Sequence, residues 1–223
     1  MSLKQWNIIH SSTLLIALAA FHLTGSYWPV LAVAFLSLIL LWISQWYTIS
    51  HLKPAGGYAN MLTLLRYILQ LLIVAFSYIW PLWSLGLLFA ILILFDGLDG
   101  YLARRLNQTT KFGALFDLET DSLFVTLTGM ILYQRHIVEV WLLPAVYMRY
   151  FYVLLVAIMQ LNRFQEKRTR FGPFIAFLMF VSLILEFLFQ SAATRILLFI
   201  ASCMIVLSFI YSFFGVLSQR RHM

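Results

Sequence analysis

Long apolar segments, separated only by short polar stretches, most constrain what this 223-residue chain can fold into. A helix needs about 20 apolar residues to cross a bilayer, whereas a membrane β-strand needs only about 9–11 and alternates in polarity. The sequence is 63% hydrophobic and 10% charged, against roughly 25% charged residues in a soluble domain. We therefore predict an all-α polytopic membrane protein with about eight transmembrane helices, over residues 8–24, 28–47, 61–80, 82–106, 117–134, 137–161, 172–190 and 194–217.

The first two segments are expected to form a helical hairpin. Lys4 ahead of an apolar stretch is also typical of a signal peptide, but a second apolar run follows the first after only a few residues. A hairpin explains that pair better than a cleaved signal does. A re-entrant pair followed by six spans is the alternative. The single cysteine, Cys203, excludes an intrachain disulfide.

Basic residues are divided unevenly between the two sides of the predicted membrane protein. With eight spans, twelve lysines and arginines fall on one side, and only Arg135 and Arg195 fall on the other. Cytoplasmic loops carry the excess of basic residues, so both termini and the loops 104–113 and 162–171 are expected in the cytoplasm, as in a bacterial inner (plasma) membrane protein. No basic stripe alternates with aromatic residues outside the apolar segments, so no nucleic-acid partner is predicted.

Five of the eight acidic residues lie within 26 positions, namely Asp96, Asp99, Asp117, Glu119 and Asp121. A charge at the centre of a membrane helix costs roughly 2.5–3.5 kcal/mol, so such a cluster in a chain with few charges indicates a functional site. Asp96 and Asp99 are three residues apart, and Asp117 and Asp121 are four apart, so each pair shares one face of a helix. A short polar loop makes the two helices antiparallel neighbours, and the pairs then meet at the cytoplasmic end.

Four converging carboxylates need cations, because they otherwise repel one another. Ligation by oxygen alone suits Mg²⁺, Mn²⁺ or Ca²⁺ rather than Zn²⁺. Two such ions offset the formal charge of four aspartates and form the paired clamp used in phosphoryl transfer. A divalent-cation transporter, or acids paired with basic residues of other helices, would use similar side chains. The spacing alone leaves these alternatives open.

The residues between the aspartates carry a more specific pattern. From Asp96 to Asp121 the chain matches D-x2-D-G-x2-A-R-x8-G-x3-D-x3-D at all eight specified positions and at every gap. This pattern resembles the signature of the CDP-alcohol phosphotransferase family. The segment Asn60 to Arg66 is similar to the N-x-x-T-x-x-R start of that family's first core helix. An interfacial helix start with a snorkelling Arg66 is the alternative.

The resemblance implies a six-helix membrane core, usually dimeric, with a polar cavity open to the cytoplasm. The core would cover residues 53–223 and leave the N-terminal hairpin as residues 1–52. The implied reaction moves a phosphatidyl group from CDP-diacylglycerol to a hydroxyl acceptor and releases CMP, as in phospholipid biosynthesis. Transfer from a soluble CDP-alcohol (CDP-choline or CDP-ethanolamine) to diacylglycerol is the alternative.

The resemblance also implies roles for individual residues. Two divalent cations, Mg²⁺ or Mn²⁺, would be held by Asp96, Asp99 and Asp117, with Asp121 contributing to the metal site and acting as the general base. The CDP site would be lined by Asp96, Gly100, Ala103, Arg104, Gly113, Asn60 and Thr63.

The identity of the acceptor is left open by the sequence. Arg149 lies within an apolar segment, where an arginine must face a cavity or a partner. It either anchors an anionic acceptor or pairs with one of the aspartates. Lys111 and Lys167, in loops expected in the cytoplasm, are further candidates for acceptor binding. Phosphatidylglycerophosphate synthases of this family usually show a G-K-x-K-T-like run at the loop that contains Lys167, and this chain departs from it at residues 166–173. The departure counts against glycerol phosphate as the acceptor, and serine, inositol phosphate and another lipid alcohol stay candidates beside it.

Overall fold

The computed structural model describes residues 1–52, 56–106, 108–161 and 171–221, and within these ranges it contains helices and no strand. The helices are α1 (Leu3–Thr24), α2 (Trp28–Ile49), α3 (Tyr58–Ala75), α4 (Leu82–Arg105), α5 (Lys111–Gln134), α6 (Leu143–Ile158), α7 (Gly172–Phe189) and α8 (Ala192–Arg221). Two 3₁₀ turns, Ser77–Ile79 and Val140–Leu142, follow α3 and precede α6. The predicted all-α architecture is confirmed.

Membrane-spanning character is found in seven of these eight helices, counted over the described ranges. All except α5 are long and apolar enough to cross a bilayer, α6 when it is taken together with the 3₁₀ turn before it as Val140–Ile158. Helix α5 has 24 residues, but it carries the carboxylates of Asp117, Glu119 and Asp121. Large apolar side chains point outward from the other helices, as at Ile16 and Ile43, which are each 71% exposed. Such a surface suits a lipid solvent.

Local sequence signals explain where the helices begin. Pro29, Pro144 and Pro173 each lie in the first turn of a helix, where the missing backbone N–H has no partner to lose. Helix α5 begins six residues before the apolar segment that was predicted at 117. The reason is Thr110, whose Oγ1 accepts a hydrogen bond of 2.9 Å from the backbone N–H of Gly113 and so caps the helix.

Helix α5 lies in the centre of the bundle, against α3, α6 and α7. Helix α4 packs on α3 and α7, and α8 packs on α6 and α7. The approach of α4 to α7 requires a glycine at position 86, since a Cβ there would lie 2.9 Å from the Cβ of Phe187. Edge-to-face ring contacts join α5 to α4 and α7. The ring centroids of Phe89 and Phe124 lie 5.5 Å apart, and those of Phe124 and Phe180 lie 5.2 Å apart.

Helices α1 and α2 pack against each other and against the remaining six. Helix α1 lies on α6, and α2 touches α3. The Tyr67 hydroxyl donates a hydrogen bond of 3.0 Å to the backbone carbonyl of Ala34, which links α3 to α2. Near the C-terminal end of α1, His22 Nε2 lies 2.8 Å from the Tyr147 hydroxyl of α6. The two N-terminal helices therefore form specific polar contacts with the bundle as well as apolar ones.

Candidate active site

Four aspartates meet where α4 ends and α5 begins, as their spacing predicted. Asp96, Asp99 and Asp117 each offer one carboxylate oxygen, and these oxygens lie within 4.8 Å of one another. Asp99 is the most enclosed, with 4% of its side chain exposed, whereas 43% of the Asp117 side chain is exposed. The cluster is thus reachable from solution on the Asp117 side and closed behind Asp99.

Arg66 of α3 connects all four aspartates. Its Nη2 lies 2.9 Å from Oδ1 of Asp117 and 2.9 Å from Oδ1 of Asp121. Its Nη1 pairs with Asp96 and lies 3.7 Å from Oδ2 of Asp99. Only 3% of the Arg66 side chain is exposed, so this arginine points into the bundle rather than out to a membrane surface. One positive charge among four negative ones leaves the cluster with a formal charge of minus three.

The segment from Asn60 to Arg66 presents three side chains toward α4 and α5 at intervals of three residues, and two of them, Thr63 and Arg66, contact the aspartates. The Thr63 hydroxyl donates a hydrogen bond of 2.9 Å to Asp99 Oδ2. The Asn60 amide donates to the Gly56 carbonyl at 2.6 Å, which aims the other atom of the amide, Oδ1, at Gly113 of α5. A Cβ at Gly113 would lie 2.6 Å from that oxygen. Glycine at 113 is therefore what lets α3 and α5 approach here.

A first cavity extends from the aspartates toward the α4–α5 loop. It brings together six of the residues predicted to bind CDP, and Asp99 and Asp117 form part of its wall. The six are Asn60, Thr63, Gly100, Ala103, Arg104 and Gly113. Asp96, also predicted for this site, instead lies beside Arg66 and Asp121 in a smaller recess.

A second cavity reaches the carboxylate of Asp121 on α5. Asp121 and Arg149 both line it, and most of its remaining wall is apolar, from α6, α7 and α8. Arg149 also forms a buried ion pair, with Nε 3.1 Å and Nη2 2.5 Å from Oε1 of Glu119. The ion pair found among the described residues is with Glu119, so the predicted alternative of a pair with one of the aspartates is wrong in its partner. The same guanidinium also lines the second cavity, and its role in anchoring an anionic acceptor stays a prediction.

The two lysines predicted for acceptor binding have different outcomes. Lys111 is the exposed first residue of α5 and lines neither cavity. Lys167 falls in 162–170, outside the described residues, as does most of the segment compared with the G-K-x-K-T-like run.

Three features of the site were missed by sequence reasoning. The contact of Arg66 with the aspartates was not predicted, and a side chain that snorkels to the membrane surface was kept as an alternative. Its spacing from Asn60 and Thr63, however, places Arg66 on the same helical face as those two residues. Glu119 was grouped with the aspartates, although two residues of helix turn it by about 200° from Asp117. Gln108 was not noticed, yet it lines the first cavity and its Oε1 accepts a hydrogen bond of 2.9 Å from the Tyr58 N–H. No sequence signal marked Gln108.

These features define a helical membrane protein with a carboxylate-rich polar site between two cavities. The family described as CDP-alcohol phosphatidyltransferase matches residues 57–213, from the start of α3 into α8. The chain belongs to this family. The match leaves α1 and α2 outside it.

Similar proteins include the CDP-diacylglycerol–glycerol-3-phosphate 3-phosphatidyltransferase of Pseudomonas fluorescens, which is 40% identical over 90 residues. That alignment covers 39% of this chain and 46% of the relative. Proteins with the same description in Escherichia coli K12 and Shigella flexneri serotype 5b are each 38% identical over 90 residues, covering 39% of this chain and 49% of the relative. The chain therefore spans about half the length of the curated relatives that it matches.

The position of Arg66 generates a prediction about stability. Replacing Arg66 with Met leaves four carboxylates without their shared cation, and losing one partner of a buried ion pair costs about 3–5 kcal/mol. We expect Arg66→Met to lower the melting temperature of the detergent-solubilised protein in EDTA. Added Mg²⁺ should raise it by more than it raises that of the wild type.

Arg195→Met is the matched control, because Arg195 pairs with Glu186 at 3.4 Å and not with the aspartates. Its melting temperature should respond to Mg²⁺ as the wild type does. Equal Mg²⁺ responses of Arg66→Met and the wild type would show that Arg66 does not neutralise the cluster.

Proposed function

We propose that this chain transfers the phosphatidyl group of CDP-diacylglycerol to a hydroxyl of an anionic alcohol, of the glycerol 3-phosphate type, and releases CMP. The observation that carries the proposal is the meeting of two cavities at one carboxylate cluster. The first reaches Asp99 and Asp117 from the side of the glycine and arginine residues of the signature. The second reaches Asp121 from the side of Arg149. A donor and an acceptor could thus approach one cluster from different cavities.

Two divalent cations, Mg²⁺ or Mn²⁺, are proposed to be held by Asp96, Asp99 and Asp117, with a contribution from Asp121. Asp96, Asp99 and Asp117 fit such ions, because their donor atoms are carboxylate oxygens within 4.8 Å of one another. Opposite ligands of one Mg²⁺ lie about 4.2 Å apart, at about 2.1 Å each. The four aspartates and Arg66 carry a formal charge of minus three. Two divalent cations bring the formal charge of the site to plus one, which suits an anionic diphosphate. When bound, the ions polarise the phosphoryl oxygens and offset charge in the transition state.

Asp121 is proposed to take the proton of the acceptor hydroxyl. That oxygen then forms a bond to the phosphorus distal to the cytidine, and the bond from this phosphorus to the CMP oxygen breaks, so CMP leaves with the electron pair. Asp121 is suited to this role because 29% of its side chain is exposed and it lines the second cavity. One atom of Arg66, Nη2, contacts both Asp121 and Asp117 and holds them side by side. The proposed base is thereby held next to the site proposed for the donor.

The acceptor is proposed to carry a phosphate because Arg149 lines the cavity that leads to Asp121. The curated relatives are described as acting with glycerol 3-phosphate, which makes that alcohol the first acceptor to test. Lys111, at the start of α5, and Lys167 are proposed to attract the same phosphate.

The cellular setting is part of the proposal. We place the protein in a membrane, with the aspartates toward the cytoplasm, because basic residues crowd the same side as the α4–α5 loop. A bacterial inner membrane, a homodimer, and a division into a hairpin at 1–52 and a core at 53–223 complete the proposal.

Replacing Asp121 with Asn tests the proton step. The amide cannot accept the proton, so we expect CMP release to fall at least about 10²-fold while CDP-diacylglycerol binding stays measurable. The assay is CMP release in mixed micelles with Mg²⁺ or Mn²⁺. Glu139→Gln, which neutralises an exposed acid beyond the far end of α5, should keep wild-type turnover. Full activity of Asp121→Asn would refute its role as the base.

The same assay with the wild type decides between donors and acceptors. Glycerol 3-phosphate, serine and inositol phosphate are each offered with CDP-diacylglycerol, and CDP-choline or CDP-ethanolamine is offered with diacylglycerol. Turnover only with a soluble CDP-alcohol would reverse the proposed direction of transfer. No CMP with any pair, together with Mn²⁺ uptake into liposomes, would favour a divalent-cation transporter.

Replacing Gly113 with Ala tests whether CDP binds in the first cavity. The added methyl displaces the Asn60 amide, which costs a hydrogen bond, but alanine stabilises a helix by about 1 kcal/mol relative to glycine. We therefore expect a small change in melting temperature and an affinity for CDP that falls about tenfold, or 1.4 kcal/mol. Calorimetric titration with CDP and Mg²⁺ measures it.

Gly97→Ala is the control, because a Cβ at Gly97 would meet no described atom within 4 Å. It should bind CDP like the wild type. Unchanged CDP affinity in Gly113→Ala would place the nucleotide elsewhere.

A further inference from the structure

Glu119 holds a position that the proposed reaction does not use. It lies between Asp117 and Asp121 in the sequence but on another face of α5, and its side chain is 1% exposed. One of its oxygens, Oε1, accepts both hydrogen bonds from Arg149. The other, Oε2, is buried without a hydrogen bond from any described residue. A buried carboxylate oxygen in that state needs a donor nearby, because its desolvation is costly.

The group that faces Glu119 Oε2 is His10 of α1. Its Nε2 lies 4.0 Å from Oε2, is buried, and has no hydrogen bond from the described residues. The imidazole is held on its other sides. Its Nδ1 lies 2.8 Å from the Ser37 hydroxyl, and its ring stacks on Trp6 at 4.8 Å between centroids. Trp6 in turn donates to the Ser37 carbonyl at 2.9 Å.

These contacts orient the imidazole toward Glu119. When the Ser37 hydroxyl donates to Nδ1, the neutral ring carries its hydrogen on Nε2, which is the nitrogen that faces the carboxylate. Glu119 then lies between two donor groups: Arg149 hydrogen-bonds to Oε1, and the N–H of His10 faces Oε2 at 4.0 Å. A histidine that only filled space would not need a buried carboxylate opposite its unpaired nitrogen.

We propose that His10 is a positioning residue, which holds Glu119 and through it sets Arg149 at the wall of the second cavity. The N-terminal hairpin thereby takes part in recognising the anionic acceptor. This inference rests on the proposed function, since it needs Arg149 to meet the phosphate of the acceptor. Without His10, both Glu119 oxygens are free to turn to Arg149. The resulting two-pronged pair draws the guanidinium away from the cavity.

Variants at His10 separate this role from packing. Glutamine places an amide N–H near the position of Nε2, whereas asparagine reaches only as far as Nδ1. We expect His10→Asn and His10→Phe to raise the KM for glycerol 3-phosphate about tenfold, a loss of 1.4 kcal/mol. The KM for CDP-diacylglycerol and kcat should stay within about twofold. His10→Gln should keep the acceptor KM near the wild-type value, and Glu119→Gln should raise it.

His22→Phe is the matched control, because His22 belongs to the same helix but bonds to Tyr147 of α6 rather than facing Glu119. It should leave the ratio of the two KM values unchanged. The inference is overturned if His10→Phe and His10→Asn keep the wild-type acceptor KM. It is also overturned if every His10 variant, including His10→Gln, raises both KM values, lowers kcat and lowers the melting temperature to a similar degree. That pattern indicates that His10 serves packing alone.

A binding measurement distinguishes failure of this inference from failure of the proposed function. We expect glycerol 3-phosphate to raise the melting temperature of the wild type and of His10→Gln, with a smaller rise for His10→Phe. Wild-type CMP release with equal rises in all variants rejects the role of His10 and leaves the proposed function standing. Absence of CMP release rejects the proposed function, and the order of the rises then still tests whether His10 sets an anion site.

Discussion

The rest of the structure depends on the contact of one arginine with four carboxylates inside a membrane protein. In a medium of low dielectric, four aspartates on two adjacent helices would force α4 and α5 apart. Arg66 prevents this from a third helix, because its guanidinium presents several donors in a fixed plane and reaches every member of the cluster. Three helices are thereby held together at one end by charge, and the aromatic contacts of Phe89 and Phe124 hold α4 and α5 together deeper in the bundle.

The negative charge that Arg66 leaves on the aspartate cluster is as important as the ion pairs that it forms. A second arginine in the cluster would complete much of the charge balance and leave little reason for metal ions to bind. With Arg66 alone, the cluster keeps a formal charge of minus three, and three of its four carboxylates are on partly exposed side chains, at Asp96, Asp117 and Asp121. Because a site that binds anions through cations must first attract those cations, this residual charge is what the proposed chemistry requires. The fold is held together by the same residues that keep it receptive to ions.

The fold class, the approximate helix ranges and the aspartate pairs could all be predicted from the sequence, because each depends on residues within a few positions of one another. Apolar length predicts a span, and intervals of three and four residues predict a shared face. The start of α5 was misplaced because its first residues, Lys111 to Gly113, fall in the stretch 104–113 that was predicted to be a loop, and the Thr110 cap before them was not recognised. Arg66, Glu119 and His10 escaped full prediction for a different reason: their partners lie 30 to 109 positions away, and only packing shows which charges meet.

Helix α5 explains why these distant partners matter. Its acidic residues divide between two directions, with Asp117 and Asp121 toward α3 and α4, and Glu119 toward α1 and α6. A rotation of α5 that improved one set would disturb the other, so contacts on the Glu119 side restrict the angle at which the aspartates face their cavities. The N-terminal hairpin, outside the family match, therefore has a physical route to the active site through a single carboxylate.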